Sequence, residues 1–166
     1  AVEDADALDR LLAEHAEALT GLLGEVPEPT RFGERTDAVL SHGERISSMV
    51  VTWVLRVRGV DAVHIDARDV VVTDDRFTEA APRLSTTYAR LSRRVRSVGA
   101  EGRVVVLGGF IGRSTDGRST TLGRGGSDYS ASIVGAGIGA EEIQIWTDVD
   151  GIMTADPSVV STAKPI

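Results

Sequence analysis

The chain of 166 residues contains no cysteine, which excludes disulfides, thiolate metal ligands and a cysteine nucleophile. Its three histidines, His15, His42 and His64, are too far apart in sequence to form a zinc motif, so no metal ligand set is expected from them. Long hydrophobic runs are missing as well. No apolar stretch reaches the length of a bilayer span, and no cationic leader precedes an apolar segment; the expectation is a soluble, cytoplasmic protein without a membrane partner. Positive charge is also in deficit: the formal net charge is -7, which argues against a nucleic-acid partner held by the overall field. A local basic face exists at Arg90, Arg93, Arg94 and Arg96, but Leu84, Tyr88, Leu91 and Val95 interleave with it at helical spacing. A solvated amphipathic helix is the favoured reading, with an interface or an anionic ligand as the alternative.

What is present is enough apolar material, 42% of residues, for one sizeable core. Ala7 to Leu23 repeats leucine at helical intervals and stops at Gly24. A second helical region runs from Asp37 to Arg58, with an interruption expected near Ser41 to Glu44 and an end at Gly59. Ala62 to Ile65 and Val70 to Thr73 are strand-like. The arginine-rich helix after Pro82 leads to Val104-Val105-Val106-Leu107, a continuous apolar run of the kind buried on both faces of a parallel sheet. A loop, a helix ending near Gly139 and a strand from Glu142 to Thr147 follow. Strand, crossover helix and strand in that order predict a right-handed βαβ unit, with ligands bound beyond the carboxyl ends of the strands at Gly108-Gly109 and Thr147-Asp148.

The most informative segment is Thr121 to Ala131, Thr-Leu-Gly-Arg-Gly-Gly-Ser-Asp-Tyr-Ser-Ala. Gly125 and Gly126 let backbone amides approach a ligand, Ser127 and Asp128 suit the mouth of a helix as capping residues, and Arg124 offers a planar fork for a carboxylate or phosphate. This is an anion cradle. Three other motifs fail as signatures. Gly112 to Ser119 approaches a P-loop, but Arg118 replaces its lysine and no helix start follows, so a flexible loop over a ligand is expected. Gly135 to Gly139 imitates a dinucleotide fingerprint at the wrong end of a helix, and reads as close packing and a helix stop. Asp148-Val149-Asp150-Gly151 opens like a calcium loop without its remaining ligands. It stays open between a nucleotide-contacting turn and a plain acidic one. Glu44 has capping-box spacing from Ser41, which favours a structural role on spacing alone, and His42 lacks an identifiable partner.

Taken together, Ser41-His42-Gly43-Glu44-Arg45, Asp66-Ala67-Arg68-Asp69 with Thr73-Asp74-Asp75, Gly109-Phe110-Ile111-Gly112, Thr121 through Ala131, and Ile145-Trp146-Thr147-Asp148-Val149-Asp150-Gly151-Ile152 with Thr154-Ala155-Asp156-Pro157 strongly resemble aspartokinases of the amino acid kinase superfamily. The resemblance runs in family order from about Phe32 to Ile166. It implies a three-layer α/β/α sandwich with a mostly parallel sheet, carbamate kinase-like, and transfer of phosphate from ATP, with Mg2+, to the β-carboxylate of L-aspartate. By motif position it implies Asp128 as the catalytic acidic residue, Glu44, Arg124 and Ser127 as the substrate-binding residues, and Thr147, Asp148, Met153 and Ser158 as nucleotide contacts. Arg124 would grip a carboxylate and Glu44 the ammonium. Met153 stands where the family has an aromatic residue, and Ser158 where it has a basic one.

Aspartokinases also begin with a Lys-Phe-Gly-Gly-Thr-Ser segment, and end in ACT regulatory domains; neither is found here, and the only lysine is Lys164. The expectation is that residues 1–166 are the central and C-terminal part of a kinase domain, nearly inactive alone, from an enzyme that is a homo-oligomer at full length. Two alternatives remain: a superfamily member acting on glutamate, acetylglutamate or a nucleotide, and a non-catalytic small-molecule-binding or regulatory domain that keeps the fold.

Overall fold

The computed structural model describes residues 2–24, 28–146, 151 and 153–164. Four helices and five strands organise them: α1 (Val2–Gly24), α2 (Phe32–Val57), β1 (Ala62–His64), β2 (Val72–Thr73), α3 (Leu84–Ala100), β3 (Val104–Val106), β4 (Ile111–Ser114), β5 (Ser119–Thr121) and α4 (Gly126–Ile138). β1 pairs in parallel with β3, Ala62 opposite Val104. β2 pairs in parallel with β4, and β4 in antiparallel with β5. The helices pack as two pairs, α1 with α2 and α3 with α4; α2 lies on β1, β3 and β5, and α3 on β2 and β3. β3 therefore has a helix of each pair against it, the layering expected of an α/β/α sandwich.

The core lies where α3 and α4 cover the strands: Ile65, Val70, Val71, Leu91, Val95 and Ile133, with Tyr88, Leu107 and Ile138 against them. Small residues set how closely these helices meet. A Cβ on Gly137 would stand 2.6 Å from Leu91 Cδ1, and one on Gly135 would collide with Ile143. Gly139 then ends α4 in the left-handed region, φ 67°, where it carries no steric cost. The packing-and-stop reading of Gly135 to Gly139 is thus borne out.

Four expectations are corrected. α2 runs unbroken through Ser41 to Glu44, because Ser41 Oγ donates to the Ala38 carbonyl and Gly43 faces open space. Its buried stripe is largely polar (Asp37, Ser41, Ser48 and Thr52), which hides it from a hydrophobicity reading. Gly112 to Ser119 is no loose loop: it belongs to a β4–β5 hairpin whose turn is closed by Ser114 N donating to Arg118 O, with Gly117 at φ 95°. Val104 is exposed rather than buried. Finally, Glu142 to Trp146 form no strand; no sheet ladder among the described residues includes them, and Trp146 is 90% exposed. Ile143 packs against α4 instead, while Ile145 is left exposed. No helix of the described residues is long and apolar enough to cross a membrane.

Candidate functional site

An open cleft of about 570 Å³ lies between α2 and the N-terminus of α4, lined by Thr36, Leu40, Thr78, Phe110, Thr121 and the run from Gly123 to Asp128. Its size suits a small ligand. The sequence motif builds one wall directly. Gly123 (φ 77°) approaches the Thr78 carbonyl so closely that a Cβ would lie 3.2 Å from it, and Gly125 (φ 73°) is the N-cap of α4. Gly126 N donates to Gly123 O, which turns the chain into the helix. Ser127 and Asp128 are accordingly first-turn residues, not the caps the sequence suggested.

This end of α4 is left electrically incomplete. The first backbone amides of a helix have no carbonyl four residues back, and the aligned peptide dipoles add partial positive charge there. The amides of Ser127 and Asp128 have no partner among the described residues, nor do the side chains of Arg124, Ser127 and Asp128. A guanidinium, a hydroxyl and two N–H donors consequently share one cleft.

Glu44 reaches the same neighbourhood through two glycines. A Cβ on Gly108 would lie 2.9 Å from the Glu44 carbonyl oxygen, and one on Gly109 would lie 3.3 Å from Ser127 Cα. The Gly108-Gly109 link thus brings the backbones of Glu44 and Ser127 to adjacent points. Thr36, Leu40 and Glu44 follow each other at four-residue intervals, which puts them on one face of α2. The capping-box reading of Glu44 is overturned by its position in the middle of that helix.

Strain is concentrated here as well. Thr78 (φ 71°) and Phe110 (φ 69°) are the non-glycine residues with left-handed backbone among those described, and both line the cleft. Such conformations cost about 1 kcal/mol or more and persist where neighbours hold them. Asp37 Oδ2 accepts from Thr78 N at 2.8 Å, and Ser130 Oγ accepts from Phe110 N at 2.8 Å. Sequence reasoning missed Asp37, Thr78, Phe110 and Ser130. The hairpin that delivers Thr121 was signalled by Asp116-Gly117, a turn dipeptide between two short strands.

Of the four expected nucleotide contacts, the two that are described, Met153 and Ser158, do not line the cleft. Thr147 and Asp148 lie outside the described residues. Met153 is half-buried, and Ser158 is exposed, its amide and hydroxyl both donating to Asp156 Oδ1. The described hydrogen bonds of this segment are local, such as Thr154 N to Lys164 O. Among the described residues no group of three or more His, Cys, Asp or Glu could hold a metal ion. Asp128 brings a single carboxylate to the cleft, which fits a Mg2+ that arrives on nucleotide phosphates, because that ion takes one or two carboxylates alongside phosphate oxygens and water.

A second charged cluster borders α2. Asp66 accepts from Arg45 Nε at 2.9 Å and from Arg68 Nη2 at 2.8 Å, and also caps the short turn after it through Arg68 N. Burial works against the Asp66 charge, but the hydrogen bonds and charge of Arg68, with Arg45, outweigh it and lower its pKa to about 2. His42 does have a partner: its Nδ1 lies 2.7 Å from His15 Nδ1 on α1, the rings edge to face. Burial, reinforced by the nearby arginines, lowers both histidines, His15 to about 4. The expected arginine face of α3 is solvated at Arg93 and Arg96, while Arg94 pairs with Asp69 and Arg90 donates to the Asp69 carbonyl.

The cleft lies at a glycine-rich helix start in an α/β chain with parallel strands; the sequence profile of the amino acid kinase family matches residues 3–166, and the chain belongs to it. Within that family it is similar to Lysine-sensitive aspartokinase 3 of Escherichia coli (strain K12), 44% identical over 131 residues that make up 79% of this chain and 29% of that protein. Aspartokinase 1 of Bacillus subtilis (strain 168) is 45% identical over 131 residues, 78% of this chain and 31% of its own. The chain spans less than a third of the length of these curated relatives. Among solved structures, E. coli aspartokinase III in complex with aspartate and ADP matches with a TM-score of 0.80 at 38% identity, over 98% of this chain and 35% of that one. The same enzyme in complex with lysine and aspartate gives a TM-score of 0.82 at 37% identity, over 97% and 36%.

Proposed function

We propose that this chain carries the acceptor side of a phosphoryl-transfer site that moves the terminal phosphate of ATP onto the β-carboxylate of L-aspartate, giving 4-phospho-L-aspartate and ADP. The observation that carries the reading is the cleft itself: Arg124, Ser127 and Asp128 stand at the start of α4 without partners among the described residues, beside Glu44, in a chain similar to aspartokinases. A structure of one such enzyme holds aspartate and ADP.

The chemistry asks for what this arrangement has. A free aspartate side chain has a pKa of about 3.9, so near neutrality the nucleophile is already ionised and needs no strong base. One carboxylate oxygen attacks the terminal phosphorus as the bond to the leaving ADP breaks. The obstacle is the approach of two anions, and catalysis must come from positive charge and alignment.

Arg124 would bind the carboxylate of the acceptor that does not react, and Glu44 its ammonium. These two contacts fix both ends of the amino acid and aim the side chain. Ser127 would hydrogen-bond the acceptor, while the first amides of α4 would face developing negative charge. Asp128 would hold the nucleotide's Mg2+, which when bound neutralises phosphate charge; no proton need pass through this residue. Thr147, Asp148, Met153 and Ser158 would contact the nucleotide by motif position.

A substrate panel on the protein as encoded in full tests the reading. ADP release that depends on L-aspartate, and is much weaker with glutamate, acetylglutamate or nucleoside monophosphates, is the expected result. Turnover with one of those in place of aspartate would reassign the acceptor. Aspartate binding by calorimetry without any turnover would favour a non-catalytic binding domain.

A further inference from the structure

We infer that Asp37 is a positioning residue that holds the three walls of the cleft in register and thereby sets acceptor binding. The inference rests on the proposed phosphoryl-transfer reading. Asp37 is on α2, one residue after Thr36 and three before Leu40, and is completely buried. Its Oδ2 accepts from Thr78 N at 2.8 Å and from Thr121 N at 2.9 Å; its Oδ1 accepts from Thr121 Oγ1 at 2.7 Å. No arginine or lysine pairs with it among the described residues. Among the described residues three donors alone accommodate the carboxylate, a costly arrangement unless all three are kept.

Those donors come from separate walls. Thr121 ends β5 and begins the run to Arg124, Thr78 belongs to the loop after β2, and Asp37 itself belongs to the helix that carries Thr36, Leu40 and Glu44. Thr78 is also one of the two strained residues, and the bond to Asp37 is what its amide makes. One carboxylate oxygen, Oδ2, accepts from the backbone of both segments at once, while Oδ1 takes the Thr121 hydroxyl. This one fixes α2 against the strand that leads to Arg124, and so fixes how far Glu44 stands from Arg124. An acceptor gripped at both ends is sensitive to that distance, whereas a nucleotide that meets this cleft only through the Mg2+ on Asp128 is less so.

The experiment compares Asp37→Ala and Asp37→Asn in the protein as encoded in full, with steady-state kinetics in both substrates, thermal melting and backbone amide exchange. Asn can accept both amides through its oxygen and donate to Thr121 Oγ1, which turns its own proton away. D37N is therefore expected to stay within about threefold of the parent in the KM for aspartate, while D37A raises it about tenfold or more, in line with the cost of small misplacements. The KM for ATP should change less than about threefold in both. Exchange at Thr78 and Thr121 should quicken together in D37A and stay slow in D37N. Equal effects on the two substrates, no effect of D37A, or failure of D37N to restore acceptor binding would overturn the role.

If D37A does not fold, Thr121→Val removes one of the three bonds and must show the same split, smaller in size; a split of the opposite sense or none overturns the inference. Absence of aspartate turnover in the unsubstituted protein defeats the functional reading instead. The clamp is then decided by exchange alone: protection lost at both amides in D37A but kept in D37N supports it, and unchanged protection rejects it.

Discussion

Arg45, Asp66 and Arg68 beside α2, and Arg124, Ser127 and Asp128 at the start of α4, are built from the same kinds of side chain and left in opposite states. In the first group Asp66 accepts from both guanidiniums, and Arg68 reaches on to Ser119 Oγ at 3.0 Å. In the second, no partner is present among the described residues for the guanidinium, the hydroxyl, the carboxylate or the two leading amides. On the proposed reading, the difference separates a charged cluster that holds the fold from one that is filled by a ligand. A charge whose neighbours satisfy it contributes to folding. A set of donors gathered in a cleft without protein acceptors is open to a ligand, and the left-handed Thr78 and Phe110 lie beside it.

The sharpest way to break this contrast is Arg124→Ala. If Arg124 serves a ligand, kcat/KM for aspartate should fall by about 100-fold, as removal of a charge-assisted bidentate contact does, with melting temperature and KM for ATP nearly unchanged. A loss of stability of comparable weight would place Arg124 in the structural class with Arg68. The mirror experiment is Asp66→Ala, which strands two guanidiniums. Because these side chains are about one-fifth exposed, the loss should lie below that of a fully buried pair, about 2 kcal/mol in denaturant unfolding. Aspartate kinetics well below the new melting point should stay within about threefold of the parent. A large KM effect without lost stability would erase the distinction between the clusters.

A weaker probe is Gly125→Ala. Gly125 is the N-cap of α4 at φ 73°, and no atom lies within 4 Å of an added Cβ, so the substitution tests conformation alone. A cost of about 1 kcal/mol in stability is expected, with a modest rise in KM for aspartate, since the first amides must tilt. A silent substitution would show that the left-handed cap is not needed to aim them.

How much could be read in advance follows the same division. The place of the α4 cradle was legible because it is set by local sequence: Gly125 and Gly126 beside Arg124 and Ser127 mark a helix start without knowledge of what packs around them. α1, α3 and the end of α4 at Gly139 were legible from helical spacing and a stop glycine. α2 was misread at Ser41 to Glu44 because its inward stripe is polar, and only the neighbours of Asp37 and Ser48 show why. Asp37 itself was invisible, since its donors, Thr78 and Thr121, are 41 and 84 residues away. The strand expected at Glu142 to Thr147 failed over its described part for a related reason: alternation gives a segment strand propensity, but a ladder needs a partner, and Ile143 finds α4 instead.

The smallest expected effect tests the satisfied side through pH. His15 and His42 are held below 6.5 in the folded chain, His15 at about 4, by burial and then by Arg45 and Arg68. His64, near Ser48 Oγ at 3.0 Å, is lowered by burial as well. Asp66 and Asp69 oppose these shifts only in part. A histidine with a depressed folded pKa binds its proton more readily in the unfolded chain. Stability from such a residue is fully present above about pH 6.5 and is lost as pH falls from there toward the folded value. Between pH 6.5 and 5 the stability of the parent should decline, before the carboxylates with ordinary pKa values titrate. The double variant His15→Gln with His42→Gln should have a shallower slope in denaturant unfolding over that interval, because two of the three depressed groups are gone. Equal slopes would mean that the α1–α2 contact through these rings is not maintained in solution, and would leave Asp66 with its two arginines as the sole anchor of the paired cluster.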